Sequence, residues 1–507
     1  MKKLSLLFFS ILFIVSCGDQ AIEKSETENK ELLSLDEMKS EVESYLQKGE
    51  VYRWENASDL MLWSAGAHSD QFFSIGYTTD QNFDFEKNIH HIDITANEWI
   101  SARQEVLNTI IDFESKALGK TLESKDLLPF GDEEFFPHLI VKLGSEEMVS
   151  ILRNHENVRF VEPIGFSFED AFASARSNSG CDASPDYNLP SDEFTTISPG
   201  TKQPWNFGHH DIQDAWSSST GDNIRLAIID TGASDNQNNL GSQFTSGWSS
   251  GRSIQKLSTH VSGSWWWASL DSPNDQCGHG TSMAGIAAGP RGTDGNAVGV
   301  AYKADLTTIR AVEDVVITTS AERVGVRNAL YIVGNTSSIK LASMSIGTPF
   351  YSSTVADGVI YAYNRGKMII SAAGTSLTWT SWYPVIFPAT MTQTVAVTGL
   401  RDNGTQRCAT CHAGSQVDFT IIMERASNNS RTTLSLASSS DQPKYTGGSS
   451  SATATVAGIA TLVWSANPNA NRATILQKLQ DASQFYPSRH GSFGWGQINA
   501  NDAVGGS

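Results

Sequence analysis

The chain has 507 residues, 39% of them hydrophobic and 18% charged, which is long enough for two or more folded units and typical of a globular composition. The net charge is −19, and this gives no general electrostatic attraction to nucleic acids or anionic lipid surfaces. We therefore expect no nucleic acid as a partner, and no membrane contact through a basic surface.

The first residues have the pattern of an export signal. Lys2 and Lys3 precede an apolar run from Leu4 to Val15, which is too short for a comfortable membrane span. The Ile-Val-Ser-Cys sequence ending at Cys17 resembles the bacterial lipobox, which implies cleavage before Cys17 and its lipidation; an ordinary secretion signal is the alternative. We expect a protein exported to the bacterial cell envelope, lipid-anchored on the periplasmic or cell-surface side, or released after maturation.

The first 203 residues divide into three stretches after residues 1–17. Residues 18–48 are polar and predict a tether that ends in a short helix. Residues 49–165 predict a small α/β domain, with helices expected at 98–116 and 146–153 and strands at 138–143 and 158–162. Residues 166–203 are rich in Ser, Asn, Pro, Gly and Asp without periodicity, so they predict a linker that contains a proteolytic maturation site.

From residue 204 to 507 short apolar strands alternate with helices. Strands are expected at 224–229, 306–312, 341–346, 368–373 and 394–398, and helices near 279–288, 321–333, 353–364 and 452–465. This alternation predicts an α/β fold, a doubly wound parallel sheet with helices on both faces. Catalytic groups then belong at the carboxyl ends of the strands.

Four cysteines remain besides Cys17, an even number that suggests disulfides in an exported protein. Cys408 and Cys411 are close in sequence, which favours pairing them with each other and Cys181 with Cys277, although the other two connectivities stay open. The sequence from Cys408 to His412 also has the spacing of a c-type haem attachment motif, so a bound haem is the alternative to a local disulfide there.

Three stretches carry residues suited to nucleophilic catalysis. Asp230 follows a buried strand in IIDTGAS, His279 lies in CGHGTSMAG, and Ser450 begins a small-residue helix in GGSSSATATVAG. A serine needs an adjacent base to act as a nucleophile, and an imidazole can take that proton near neutral pH. A carboxylate on the other ring nitrogen fixes the tautomer. The combination predicts acyl transfer.

In this order, the three motifs resemble those of the subtilisin-like serine proteases (peptidase S8), and the resemblance extends over roughly 200–507. It implies an endopeptidase in which Asp230 orients, His279 acts as general base and acid, and Ser450 attacks the peptide carbonyl of protein or peptide substrates. It also implies two substrate-binding stretches, Ser345-Ile346-Gly347 and Ala372-Ala373-Gly374. Residues 137–166 resemble the closing half of the inhibitor-type propeptide of such proteases, which implies a zymogen and an intramolecular inhibitor.

The family usually carries Asn after Ala-Ala-Gly, where its amide helps to hold the oxyanion, but this chain has Thr375. Loss of such a donor costs roughly 10²–10³ in turnover, a magnitude measured in a subtilisin. The Ser450 amide remains, and the Thr375 hydroxyl is the other oxyanion candidate. The sequence thus predicts a slow protease, with a catalytically weak or dead peptide-binding relative as the alternative.

Other signals support different functions. Asp230-Thr-Gly also begins an aspartic protease loop, but that chemistry needs a second carboxylate and no second such motif occurs. Trp265-Trp266-Trp267 is expected to pin a long loop, with a sugar or substrate subsite as the alternative. The histidines show no metal spacing, so no cofactor is expected to be required; structural calcium is typical of many such enzymes, but its ligands are not placed.

Overall fold

The computed structural model describes residues 31–128, 131, 135–168, 181–262, 269–375 and 384–506. The predicted signal with Cys17, the Trp265–Trp267 cluster and the middle of the predicted linker lie outside these residues.

The described residues between 34 and 168 form an α/β unit, and its hydrophobic core also includes Phe350 from the C-terminal part of the chain. Its strands are β1 (Phe72–Tyr77), β2 (His138–Lys142) and β3 (Val158–Pro163), and β1 lies in the middle, antiparallel to both. Its helices are α1 (Leu35–Leu46), α2 (Asp59–Ala67), α3 (Phe85–Asn88), α4 (Asn97–Leu118), α5 (Ser124–Leu127) and α6 (Glu146–Arg153). This core continues through Phe166 and Phe168, beyond the predicted boundary at residue 165.

The predicted linker is partly structured. Its last residues form a hairpin of β4 (Phe194–Ile197) and β5 (Thr201–Pro204), which the sequence patterns did not predict. Residues 181–187 precede this hairpin, have no regular secondary structure of their own and lie against the C-terminal domain.

The C-terminal domain is built on a large twisted sheet. The strands of the domain that follow β5 are β6 (Arg225–Asp230), β7 (Ile254–Ser258), β8 (Val261–Ser262), β9 (Ser269–Leu270), β10 (Asp305–Arg310), β11 (Ile339–Met344), β12 (Met368–Ala372), β13 (Thr394–Arg401), β14 (Phe419–Arg425), β15 (Asn428–Leu436), β16 (Pro443–Thr446) and β17 (Gly496–Gln497). In space the main order is β16-β15-β14-β13-β12-β11-β6-β10-β7.

The helices of this domain are α7 (Ile212–Ala215), α8 (His279–Ala288), α9 (Ser320–Asn335), α10 (Ser353–Asn364), α11 (Gly448–Ala466), α12 (Arg472–Asp481) and α13 (Ala500–Val504). They cover both faces of the sheet, with α8 and α11 in one apolar core and α9 and α10 in another. The predicted doubly wound, subtilisin-like α/β fold is confirmed, with one refinement. In this spatial order the strands from β14 through β6 to β7 are parallel, whereas β15 and β16 add to one edge in antiparallel orientation. The sheet is therefore mixed.

Both preferred cysteine pairs form disulfide bonds, Cys181–Cys277 and Cys408–Cys411. Because Cys408 and Cys411 bond to each other, neither thiol is available for covalent attachment of a haem. Within the described ranges, no helix has the length and apolar character needed to cross a membrane.

Candidate active site

Asp230 and His279 form a buried hydrogen-bonded pair. Asp230 is the last residue of β6 and His279 the first of α8, and both are almost inaccessible to solvent. The His279 Nδ1–H donates to Asp230 Oδ1 at 2.8 Å, and the Thr231 amide donates to the same oxygen at 2.8 Å. A proton held on Nδ1 leaves Nε2 as the basic nitrogen, which is the tautomer that a general base requires.

Ser450 lies at the same edge of the sheet. β6, β11 and β12 are parallel neighbours, so their carboxyl ends share one edge. Ser345, directly after β11, donates its hydroxyl to the Ser450 carbonyl at 3.1 Å, and the Ser450 hydroxyl donates to the Ser345 carbonyl at 3.4 Å. The Gly374 amide, just after β12, donates to the Ser449 hydroxyl at 3.2 Å. The three predicted catalytic residues are thus gathered from distant stretches of chain.

Small residues let the two helices that carry His279 and Ser450 lie close together. A side chain built at Gly458 in α11 would stand 3.1 Å from the Ala287 carbonyl oxygen in α8 and 2.5 Å from Val300. Gly458 and Ala287 are each eight residues beyond the candidate catalytic residue of their helix, about 12 Å along the axis. The two helices therefore approach each other closely at the same distance along the chain from His279 and from Ser450.

The described residues include no hydrogen bond between His279 and Ser450, because the serine hydroxyl is turned to the Ser345 carbonyl. Long or misaligned contacts of this kind are common in catalytic sites without substrate, and they tighten when substrate binds.

The Thr375 hydroxyl is engaged by the residue before the candidate nucleophile. It accepts the Ser449 amide hydrogen at 3.1 Å and forms a second hydrogen bond with the Ser449 hydroxyl at 3.0 Å. The Ser450 amide lies in the first turn of α11, where backbone N–H groups have no partner within the helix and the helix dipole favours a negative charge. That amide is the stronger oxyanion candidate of the two.

An apolar cavity opens beside Ser450. It is lined by most of the predicted substrate-binding residues together with others: Val315, Val316, Ser345, Ile346, Gly347, Thr348, Pro349, Ala372, Gly374, Thr375, Ile386, His412, Ser449 and Ser450. Ala373 is the exception among the predicted residues, because it is fully buried in a separate apolar cluster and its carbonyl accepts the Ile386 amide. Val315, Val316 and Ile386 were missed, since they come from loops without a recognisable motif, and His412 was noted only as part of the haem-like spacing from Cys408.

A carboxylate that the sequence patterns did not predict holds the turn before His279. Asp275 is buried and accepts five hydrogen bonds, from the amides of Cys277, Gly278 and Thr281 and from the hydroxyls of Thr231 and Thr281. Thr231 directly follows Asp230 in the chain. Asp275 therefore ties the turn that begins α8 to the end of β6.

The charges of Asp230 and Asp275 raise the pKa of the His279 imidazole. Burial lowers the pKa of His279, but the charge and hydrogen bond of Asp230, with a smaller contribution from the charge of Asp275, outweigh it and leave the pKa above its ordinary value. A general base acts in its neutral form, so, with His279 as the expected base, activity should rise with pH through a pKa above the ordinary histidine value.

Asp275→Asn is expected to shift the rise of kcat/KM with pH to lower pH. The variant removes one negative charge near His279 and so lowers the pKa of its imidazole. It is also expected to lower kcat/KM about 10- to 100-fold, since an amide reproduces only part of the hydrogen bonding that fixes the turn. Asp235→Asn, in an exposed carboxylate paired with Lys256, is the matched control and should leave the profile in place. Identical profiles for both variants would contradict the role of Asp275.

One group of possible metal ligands in the described residues has a positively charged side chain beside it, which argues against a metal site there. His260, Asp271 and Glu313 bring three ligand atoms within 4.8 Å of one another in the described part of the chain. The Asp271 carboxylate, however, accepts a hydrogen bond from the Arg310 guanidinium at 3.0 Å and is also bonded to His260. A guanidinium at this position opposes a second cation. The ligands of a structural calcium ion therefore remain unplaced.

Comparison with known proteins agrees with this geometry. The family model described as Peptidase S8, the subtilase family, matches residues 221–496, more than half of the chain. M-protease of Shouchella clausii is 24% identical over 402 residues, which cover 78% of this chain and 95% of that protein. The thermophilic serine proteinase of Bacillus sp. strain AK1 is 23% identical over 443 residues, covering 85% and 95%.

Thermitase of Thermoactinomyces vulgaris is 28% identical over 199 residues, and that alignment covers 39% of this chain and 63% of thermitase. Among solved structures, a protease of Pseudoalteromonas arctica has a TM-score of 0.48 and 22% identity, covering 58% of this chain and 93% of that one. The resemblance predicted from the three motifs is confirmed by the family model: the chain belongs to the subtilase family of serine proteases.

Proposed function

We propose that the protein is an exported serine endopeptidase, made as a zymogen, that cleaves peptide bonds through Asp230, His279 and Ser450. The observation that carries the proposal is the buried Asp230–His279 hydrogen bond at the sheet edge where Ser450 lies in the first turn of α11. The Asp230 partner is an imidazole, whereas the alternative aspartic protease chemistry requires a second carboxylate.

In the proposed reaction, His279 Nε2 takes the Ser450 hydroxyl proton as the serine oxygen attacks the substrate carbonyl. The Ser450 amide holds the oxyanion. His279 then gives the proton to the leaving nitrogen, and water hydrolyses the acyl-enzyme by the same steps. Asp230 keeps the ring in one tautomer and stabilises its charged form.

The cavity beside Ser450 is the proposed pocket for the side chain before the cleaved bond. Its walls include Val315, Val316, Ile346 and Ile386, so an apolar side chain is the preferred occupant.

Residues 34–168 are the proposed inhibitor domain, because they cover α9 and α10 beside this pocket. The Glu162 carboxylate accepts the amide of Ser353 at 2.8 Å and its hydroxyl at 2.6 Å at the first turn of α10. The Arg323 guanidinium of α9 donates to the carbonyls of Ile164 and Phe166. Phe166 also packs on Phe350, which follows the pocket residue Pro349 in the chain.

Asp357 of α10 is the centre of the charged part of this interface. Its buried carboxylate accepts hydrogen bonds from His138 Nε2 at 2.6 Å and from the Arg159 guanidinium, both of the N-terminal domain. Burial alone would raise the pKa of Asp357, but the Arg159 charge and these hydrogen bonds hold it well below its usual range.

Asp357→Asn is expected to loosen the two domains by roughly 2–5 kcal/mol, because the partly buried Arg159 loses its counter-charge. After processing, the wild-type fragments should co-elute in size-exclusion chromatography, whereas those of the variant should separate. Asp235→Asn is the control, since the exposed Asp235 carboxylate pairs with Lys256 of the C-terminal domain and such a pair is worth little. Co-elution of the Asp357→Asn fragments at the same concentration would refute this interface as the inhibitory one.

The export part of the proposal rests on the apolar N-terminal run, the lipobox-like sequence at Cys17 and the two disulfides, which suit an oxidising compartment. N-terminal sequencing and mass measurement of the purified mature protein test the cleavage sites and the lipid together. A mature protein that retains residues 49–165 in one uncut chain would count against the zymogen.

A second candidate is a catalytically weak or dead peptide-binding relative, favoured by Thr375 and by the orientation of the Ser450 hydroxyl. A fluorophosphonate probe separates the two functions. Labelling that disappears in Ser450→Ala supports the enzyme, and a folded mature protein that resists the probe supports the binding protein.

A further inference from the structure

A short segment after the proposed maturation region is fixed to the turn that carries His279. We call residues 181–187 the strap. Cys181 is bonded to Cys277, two residues before His279. A side chain built at Gly278 would lie 3.0 Å from Ala183 Cα and 3.1 Å from the Asp182 carbonyl oxygen, so the strap lies directly on this turn.

The strap also attaches to the strand that leads to Ser450. The Asp186 amide donates to the Pro443 carbonyl at 3.0 Å, and the Asp186 carboxylate accepts the Tyr445 amide at 2.8 Å. The Pro443 carbonyl and the Tyr445 amide point away from β15, because the backbone N–H and C=O of Lys444, the residue between them, face β15. Asp186 therefore occupies the free edge of β16, and Ser450 lies four residues beyond the end of that strand.

Two further contacts fix the first part of the strap. The Ser438 amide donates to the Ala183 carbonyl at 3.0 Å, and the buried Lys444 ammonium donates to the Asp182 carbonyl. The strap is thus held by one covalent bond and by hydrogen bonds at both of its ends, while most of its residues are exposed to solvent.

The chemistry indicates which part of a substrate would meet the strap. The pocket for the residue before the cleaved bond lies against the ends of β11 and β12. The imidazole that takes the serine proton must deliver it to the leaving nitrogen, so the residues after the cleaved bond depart on the His279 side. The strap lies on that side, bonded to the His279 turn.

We propose that the strap is a specificity-determining wall on the leaving-group side, which favours substrates with few residues after the cleaved bond, or with flexible ones, over long ordered segments. The inference rests on the proposed function. It requires that the strap stay in place after maturation, and the Cys181–Cys277 bond retains it after any cut upstream of Cys181.

The test compares two substrates with the same apolar residue before the cleaved bond. One is a peptidyl p-nitroanilide, which has no amino acid after that bond, and the other is an internally quenched peptide with about five residues after it. In Cys181→Ser/Cys277→Ser, kcat/KM for the extended peptide is expected to rise about tenfold, equivalent to about 1.4 kcal/mol, while that for the anilide stays within about twofold.

Cys408→Ser/Cys411→Ser is the matched control, because it removes the other disulfide and should leave the ratio of the two kcat/KM values unchanged. Asp186→Ala keeps the disulfide and frees only the later part of the strap, so it should move the ratio in the same direction by a smaller amount. The anilide rate reports folding of every variant in the same assay.

The outcomes separate the inference from the function beneath it. A wild-type protein that hydrolyses neither substrate refutes the proposed protease activity. If the wild-type protein hydrolyses both substrates and neither strap variant changes the ratio of the two kcat/KM values, the strap is not a specificity-determining wall. Equal losses on both substrates in the strap variants also overturn it, and would assign the strap to holding the His279 turn instead.

Discussion

Ser450→Ala is expected to reduce peptide hydrolysis by about 10⁶-fold, the scale measured for loss of the nucleophile in a subtilisin. Alanine removes the attacking oxygen, and no acyl-enzyme can then form. The backbone of α11 is expected to stay in place, because its first turn is held by contacts that do not involve the Ser450 hydroxyl, including the Ser449 amide to Thr375. Turnover of a peptidyl p-nitroanilide by purified mature protein measures the effect.

Ser451→Ala is the neighbouring control. Its buried hydroxyl donates to the Gly447 carbonyl at the start of α11 and faces neither His279 nor the cavity. Its loss should cost stability rather than chemistry, within about 1–2 kcal/mol. If Ser450→Ala retained activity within about tenfold of the wild type, the assignment of the nucleophile would be wrong.

Thr375→Asn is expected to raise kcat by about 10- to 100-fold with little change in KM. The gain comes from an amide donor that can reach the developing oxyanion, and it is bounded by the roughly 10²–10³ that such a donor contributes in a subtilisin. It is partly offset because the Ser449 amide loses the Thr375 hydroxyl as its acceptor. Steady-state kinetics with an anilide substrate separate kcat from KM.

Thr375→Val tests whether the existing hydroxyl already assists. This variant keeps the side-chain shape and removes only the hydroxyl oxygen, which in the structure hydrogen-bonds to the amide and the hydroxyl of Ser449. A small loss in kcat for Thr375→Val, together with a gain for Thr375→Asn, would support a missing oxyanion donor at this position. A kcat for Thr375→Asn at or below the wild-type value would contradict it.

Sequence patterns predicted the elements with a strong local signal. The helices expected at 279–288 and 353–364 match α8 and α10, and the strand expected at 368–373 differs from β12 by one residue. The central strand β1 (Phe72–Tyr77) was missed although Phe73, Ile75 and Tyr77 alternate with Ser74 and Gly76, because the run is short and glycine is depleted in strands. The antiparallel edge was missed as well, since β15 joins a buried half to an exposed one.

The candidate site was predictable to the extent that its residues lie in glycine-rich motifs. Asp230 ends β6, His279 begins α8, and Ser450 lies in the first turn of α11, each at a recognisable turn. Asp275 has no such signal, because its importance comes from amides and hydroxyls that only the folded turn brings around it. Val315 and Val316 line the cavity from a loop, and their position in the sequence does not show that the fold brings them to the cavity beside Ser450.

The free side of β16 has a further consequence for the solution behaviour of the protein. β16 is the outermost strand of the large sheet, and an uncovered outer strand is a template for pairing with a second molecule. Asp186 covers the Pro443 carbonyl and the Tyr445 amide, and so closes that template. In the proposed zymogen, a processing cut upstream of Cys181 would preserve this cover, whereas a cut within the strap would expose the unpaired backbone groups of β16 and favour aggregation.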